Sequence, residues 1–200
     1  FLATLRQITR EIGAFLIFDE VITGFRMAPG GAQEVYGILP DVSTYGKVAG
    51  GGLPFGAVGG TAEAMALTEY DRDPAHAILL AGTFNGNPLA IAAGTAVLRR
   101  LSREPELYTR MNAMGDRFRR EINRFAGDEG YPATAIGVGS MFWMHTVRGP
   151  INNIRDLWKR DGVADTGLRL LYRRHGLHMS RNHAFLSAAH GEEDVSRLIE

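Results

Sequence analysis

The sequence predicts an α/β protein in two parts: a region of buried strands and helices over residues 1–102, then a smaller α+β domain over 103–200. Three observations carry that expectation. The apolar run Phe15-Leu16-Ile17-Phe18 ends in two carboxylates, as a strand covered on both faces of a parallel sheet would. Three short strand-like runs lie between two helical patterns up to residue 101, and a second block of mixed patterns follows a boundary near Arg103.

The elements follow in chain order. Leu2, Leu5, Ile8 and Ile12 recur at spacings of three and four, which marks one face of a leading helix, and Gly13 supplies its stop. The strand at 15–18 delivers Asp19 and Glu20 to its end, where open α/β sheets gather their ligands; Glu20 is expected to make only a local polar contact. A second short strand, Val42 to Tyr45, runs into Gly46-Lys47 and a glycine-rich stretch. A third, Ile78 to Ala81, runs into Gly82-Thr83-Phe84-Asn85-Gly86-Asn87-Pro88. Asn87 as N-cap and Pro88 as first helical residue predict a helix over 89–101. Beyond the boundary, Leu107, Met111, Met114, Phe118, Ile122 and Phe125 form a helical core stripe. Strand-like sequence over 134–146, an irregular stretch over 148–155, a helix over 165–175 and two short strands near 177–179 and 184–188 complete the chain.

Composition narrows the function classes. Twenty-two basic residues balance twenty-two acidic ones, so no global field favours nucleic acid or an anionic membrane, and a small-molecule partner is expected. There is no cysteine, which excludes disulfides and thiolate metal sites. No apolar run reaches the roughly 18 residues of a membrane span and no signal-peptide layout opens the chain, so a soluble protein, cytoplasmic by default, is expected. Glycine makes up 25 of 200 residues, well above its ordinary share of about 7%.

Lysine is nearly absent: only Lys47 and Lys159 occur, and the other twenty basic residues are arginine. Arginine stays charged and cannot form a Schiff base, whereas a desolvated lysine amine can attack an aldehyde. Lys159 sits in a polar stretch and reads as surface. Lys47 follows a strand end and opens a glycine-rich turn, where a catalytic amine and a simple turn cap are both compatible with the pattern. Asp19 at a strand end can hold a heterocyclic nitrogen protonated, or cap a helix. Thr83, Asn85, Gly86 and Asn87 precede a helix start and can bind phosphate through a hydroxyl, backbone amides and the helix's positive end, or form a plain turn. Other motifs fail. A P-loop needs glycine where Asp41 stands and Ser or Thr where Val48 stands; no G-x-G-x-x-G, H-E-x-x-H or G-x-S-x-G is present.

The string Phe18-Asp19-Glu20-Val21-Ile22-Thr23-Gly24-Phe25-Arg26, followed by Gly46-Lys47-Val48-Ala49-Gly50-Gly51-Gly52-Leu53-Pro54-Phe55-Gly56-Ala57, resembles the class III aminotransferases, within them the glutamate-1-semialdehyde aminomutase group. The 82–88 segment, Gly139-Ser140-Met141-Phe142 and the 189–194 segment extend the resemblance over nearly the whole chain. It implies fold type I, with 1–102 as the C-terminal part of a large, mostly parallel-sheet domain that binds pyridoxal 5′-phosphate (PLP), and 103–200 as the small C-terminal domain. It implies a homodimer with shared active sites, working on small-molecule amino donors and acceptors. By motif, Asp19 pairs with the pyridine nitrogen, Val21 packs on one ring face, Lys47 holds the cofactor as a Schiff base and shuttles the proton, and Thr83 binds the phosphate. From the residues themselves, Arg26 and Arg181 can each grip a carboxylate bidentately or form a surface or structural salt bridge. The resemblance also implies that a first half supplies a phosphate loop, an aromatic ring stack and further strands. The chain is therefore expected to be a truncated fragment, or one half of a split enzyme with a cut sheet edge. A racemase or decarboxylase of the same fold is the alternative chemistry.

Overall fold

The computed structural model describes residues 1–71, 73–179 and 182–200, which fall into two compact units, Phe1–Pro105 and Glu106–Glu200. In the first unit, helix α1 (Leu2–Glu11) leads into strand β1 (Ile17–Asp19), short helix α2 (Gly31–Tyr36) and strand β2 (Val42–Tyr45). A 3-10 turn over Lys47–Gly50, strand β3 (Ala57–Gly60), helix α3 (Ala62–Ala66) and helix α4 (Pro88–Arg103) follow. The sheet runs β1-β2-β3: β1 lies parallel to β2 with Asp19 opposite Thr44, and β2 lies antiparallel to β3. The portion of sheet in this chain is thus mixed rather than purely parallel.

Three sequence expectations are corrected here. The apolar face expected of α1 is not what it buries: Ile12 is 70% exposed, while Arg6 is buried because its guanidinium donates to Asp41 (2.9 Å) and to Leu39 O (3.3 Å). The 15–18 run is not covered on both faces. Ile17 is 59% exposed, and β1 has a single ladder neighbour among the described residues. The expected strand at 78–81 joins no ladder among the described residues, and Leu79 is 77% exposed; apolar sequence alone makes no strand without a neighbour to accept its backbone bonds. The helix start does form as expected, with Asn87 Oδ1 accepting from the amides of Leu89 and Ala90 (both 3.1 Å) ahead of Pro88.

In the second unit, helix α5 (Glu106–Asp128) packs on a three-stranded antiparallel sheet of β4 (Thr134–Val138), β5 (Met141–His145) and β6 (His183–Phe185), with helices α6 (Gly162–Arg174) and α7 (Glu192–Ile199). The stripe from Leu107 to Ile122 is buried, and Phe118 stacks on Phe142 at 4.1 Å. Phe125 leaves the stripe: Ala126 completes the buried face, and Phe125 stacks outside on Tyr131 at 5.6 Å. Asn123 pairs its side-chain amide with both backbone groups of Ala135, at 2.7 and 2.9 Å, fixing α5 to β4. The strand-like 134–146 block becomes a hairpin whose two-residue turn is Gly139-Ser140, with Gly139 at φ +53°.

No strand forms at 177–179. The Leu177 amide instead closes the end of α6 by donating to Tyr172 O (2.8 Å) beyond Gly176 at φ +75°, a Schellman ending that consumes the donor a ladder would need. Helix α7 lacked an apolar repeat long enough to be read. It is set by Asp194 accepting from the Gly191 amide (2.8 Å), three acidic residues in its first turn and the buried Val195.

Candidate functional site

Three of the four residues singled out for chemistry converge on one edge of the first sheet. Asp19 is the last residue of β1, Val21 follows it, and Lys47 stands two residues past the end of β2, so the parallel pairing brings both strand ends to the same side. Asp19 and Lys47 are exposed. The Asp19 carboxylate is oriented by two donors, the Val21 amide and Thr44 Oγ1, each 3.1 Å from Oδ1. Val21 lies against the backbone that precedes the lysine: a Cβ built on Gly46 would come within 3.3 Å of Val21 Cγ1 and of Phe55 O. A side chain there would be tight against both.

Lys47 itself has φ +45°, in the left-handed region that side chains other than glycine rarely adopt. Such a conformation costs on the order of 1 kcal/mol and persists only where the surroundings impose it. Here they do. The turn that Lys47 opens is closed by Ala49 N to Gly46 O (3.0 Å) and Gly51 N to Val48 O (3.1 Å), and α4 docks directly on its backbone. A Cβ on Gly94 would lie 2.3 Å from Ala49 O, and one on Gly51 would lie 2.5 Å from Ala93 O.

Thr83 is exposed in the turn that precedes α4. That turn differs from the sequence expectation in one respect: its backbone amides are largely spoken for. Asn85 N donates to Gly82 O (2.9 Å), Asn87 N to Phe84 O (3.1 Å), and the first free helical amides are taken by Asn87 Oδ1. The Thr83 hydroxyl and the helix's positive end are what the segment offers an anion. Arg26 is half-buried on the connection after β1, and Arg181 lies outside the described residues.

Glu20 was underestimated. It is 1% exposed, and its carboxylate accepts from the amides of Ala32 and Gln33 (2.9 Å each) and from Thr23 Oγ1, so it reaches twelve and thirteen residues along the chain rather than making a local contact. The only hint in the sequence was a second carboxylate beside Asp19. Among the described residues no group of three or more His, Cys, Asp or Glu could hold a metal ion, and no helix is long and apolar enough to cross a membrane.

A carboxylate, a primary amine and a hydroxyl at a helix start are the donor set that a heterocyclic nitrogen, an aldehyde and a phosphate require. The chain belongs to the class III aminotransferases: the family model for aminotransferase class-III matches residues 1–184. It is 41% identical over its whole length to the glutamate-1-semialdehyde 2,1-aminomutase of Methanosarcina acetivorans, covering 46% of that protein. Among solved structures, a β-phenylalanine aminotransferase from Variovorax paradoxus superposes with TM-score 0.88 at 35% identity, over 100% of this chain and 45% of that one. A glutamate-1-semialdehyde-aminomutase from Pseudomonas aeruginosa PAO1 in complex with PMP superposes with TM-score 0.84 at 25% identity, over 100% and 46%. The chain thus spans about half the length of the curated relatives it matches.

Proposed function

We propose that this chain carries the lysine-bearing part of a PLP-dependent aminotransferase or aminomutase that moves an amino group on an amino acid or amino aldehyde. Residues 1–102 are the C-terminal part of its large domain and 103–200 its small domain, and it works as a homodimer with shared sites. The observation that carries the reading is the parallel pairing of β1 with β2, which sets the Asp19 carboxylate beside the strand that leads into Lys47. Membership of the family and the likeness to a PMP-bound aminomutase support it.

PLP, when bound, supplies an electron sink for the pair left on a substrate carbon when a bond to that carbon breaks. The chain's own residues do the rest. Lys47 is the only lysine in the first unit and the group able to hold an aldehyde covalently. Its Nζ would also be the base placed to take up and return the substrate's proton. The Val21 amide and the Thr44 hydroxyl both donate to Asp19 Oδ1, and Oδ2 is the oxygen that would hold a ring nitrogen protonated. Val21, fixed against Gly46, offers an apolar surface to one ring face, and Thr83 binds the phosphate.

The test is Lys47→Ala in the full-length protein. The visible absorbance of lysine-bound PLP is expected to disappear; a covalent adduct with the same spectrum in the variant would overturn the assignment.

A further inference from the structure

Glu20 stands out among the groups this mechanism does not use. A carboxylate 1% exposed is costly to hold in a protein interior unless several donors meet it, and here three do. Two of them are the amides of Ala32 and Gln33 in the first turn of α2, and the third is Thr23 Oγ1 on the connection just after β1. The pocket is built around the carboxylate. Gly31 has φ +72°, and a Cβ there would lie 2.6 Å from Glu20 Oε2, so the chain passes the buried oxygens as bare backbone.

The network continues past α2. Gln33, whose amide donates to Glu20, donates its side-chain Nε2 to the Tyr45 hydroxyl at 3.0 Å. Tyr45 is the last residue of β2, two before Lys47, and its ring lies over Gly24, where a Cβ would meet Tyr45 Cδ1 at 2.8 Å; Phe25 packs beside it at 5.5 Å between centroids. Gly24 N in turn donates to Glu20 O (2.8 Å). One closed set of contacts therefore joins the end of β1, the connection after it, α2 and the end of β2. Successive residues of a strand point to opposite faces, so Asp19 and Glu20 divide the work: one is exposed, the other buried behind it.

We infer that Glu20 is a positioning residue for the site: it clamps α2 behind β1 and, through Gln33 and Tyr45, holds the end of β2 so that Asp19 and Lys47 keep a fixed relative placement. The inference rests on the function proposed above for its meaning, but the coupling itself is a property of the fold. Glu20→Gln replaces one accepting oxygen with an amide nitrogen that cannot accept from the Ala32 or Gln33 amide; of the three partners only the Thr23 hydroxyl can turn to accept, so the substitution weakens the clamp with little change of volume.

The test uses the full-length protein, with amide hydrogen exchange read without PLP and the visible spectrum read with it. Glu20→Gln is expected to speed exchange at Ala49 and Gly51, the donors that close the Lys47 turn, by about tenfold. The pH midpoint of the visible band should move in the same variant. Tyr45→Phe, which cuts the link and leaves the Glu20 bonds in place, is expected to speed Ala49 and Gly51 while leaving Ala32 and Gln33 as in the parent. Faster exchange confined to Ala32 and Gln33 in Glu20→Gln, or no change at Ala49 and Gly51 in Tyr45→Phe, overturns the inference. Should Glu20→Gln not fold, Tyr45→Phe decides alone. A parent protein that forms no borohydride-fixable adduct at Lys47 refutes the proposed function instead, and leaves the exchange result standing.

Discussion

Asp41, at the entry to β2, accepts from the Leu16 amide (2.7 Å) and from Arg6 (2.9 Å), tying α1 and the start of β1 to the second strand. The Leu16 amide, and after it the Arg6 guanidinium, holds this carboxyl below its ordinary value against the opposing effect of burial. Because the folded-state value is the lower one, the stabilisation is present above the ordinary carboxylate pKa of about 4 and is lost as pH falls through the folded value. Asp41→Asn is expected to lower stability by about 1–3 kcal/mol near neutral pH. It should also flatten the loss of stability on acidification; melting curves taken from pH 6 to pH 3 check both. At this same scale the sequence marked candidates one residue at a time. Lys47 was marked by the scarcity of lysine, and Asp19 by a strand-end pattern. Glu20 was not, because its role depends on Ala32 and Gln33 folding back onto it, and spacing along the chain carries no record of that.

Among the elements, α4 packs directly on the turn that carries Lys47. Its backbone meets the Lys47 turn at Gly94 and Gly51, where no side chain intervenes. Gly94→Ala must displace Ala49 O or the helix itself, and is expected to destabilise by about 1–3 kcal/mol and to weaken retention of PLP. Comparing thermal melts with cofactor dissociation rates would reveal it; a stable variant that keeps PLP as the parent does would show the contact to be compliant. Asn87→Ala, which removes only the cap, is expected to cost about 1 kcal/mol, measurable by denaturant unfolding. The cap of α4 and most of the stripe of α5 were legible in the sequence because they are local. The strands expected at 78–81 and 177–179 were not decided locally: one lacks a ladder neighbour among the described residues, and the other spends its first amide on the end of α6.

For the whole molecule, the proposed chemistry is movement of an amino group, and the alternative to it on the same scaffold is inversion or decarboxylation at the α-carbon. Incubating the full-length protein with an amino donor and a keto or aldehyde acceptor is expected to yield exchanged amine. Inversion or carbon dioxide release without amine exchange would favour the alternative chemistry. Candidates to hold a reacting amine, a ring nitrogen and a phosphate can be proposed from one chain, because each role needs a particular functional group at a strand or helix end. The sequence by itself therefore determined the family and the start of α4, and it singled out Asp19, Val21, Lys47 and Thr83 as candidates, all written in residue type and short-range spacing. Only the tertiary structure decided that Lys47 sits in a left-handed turn under α4, that Arg6 rather than an apolar face is what α1 buries, and that Glu20 is a buried clamp. Each of these depends on which distant backbone groups meet a side chain, and that is set by packing rather than by periodicity.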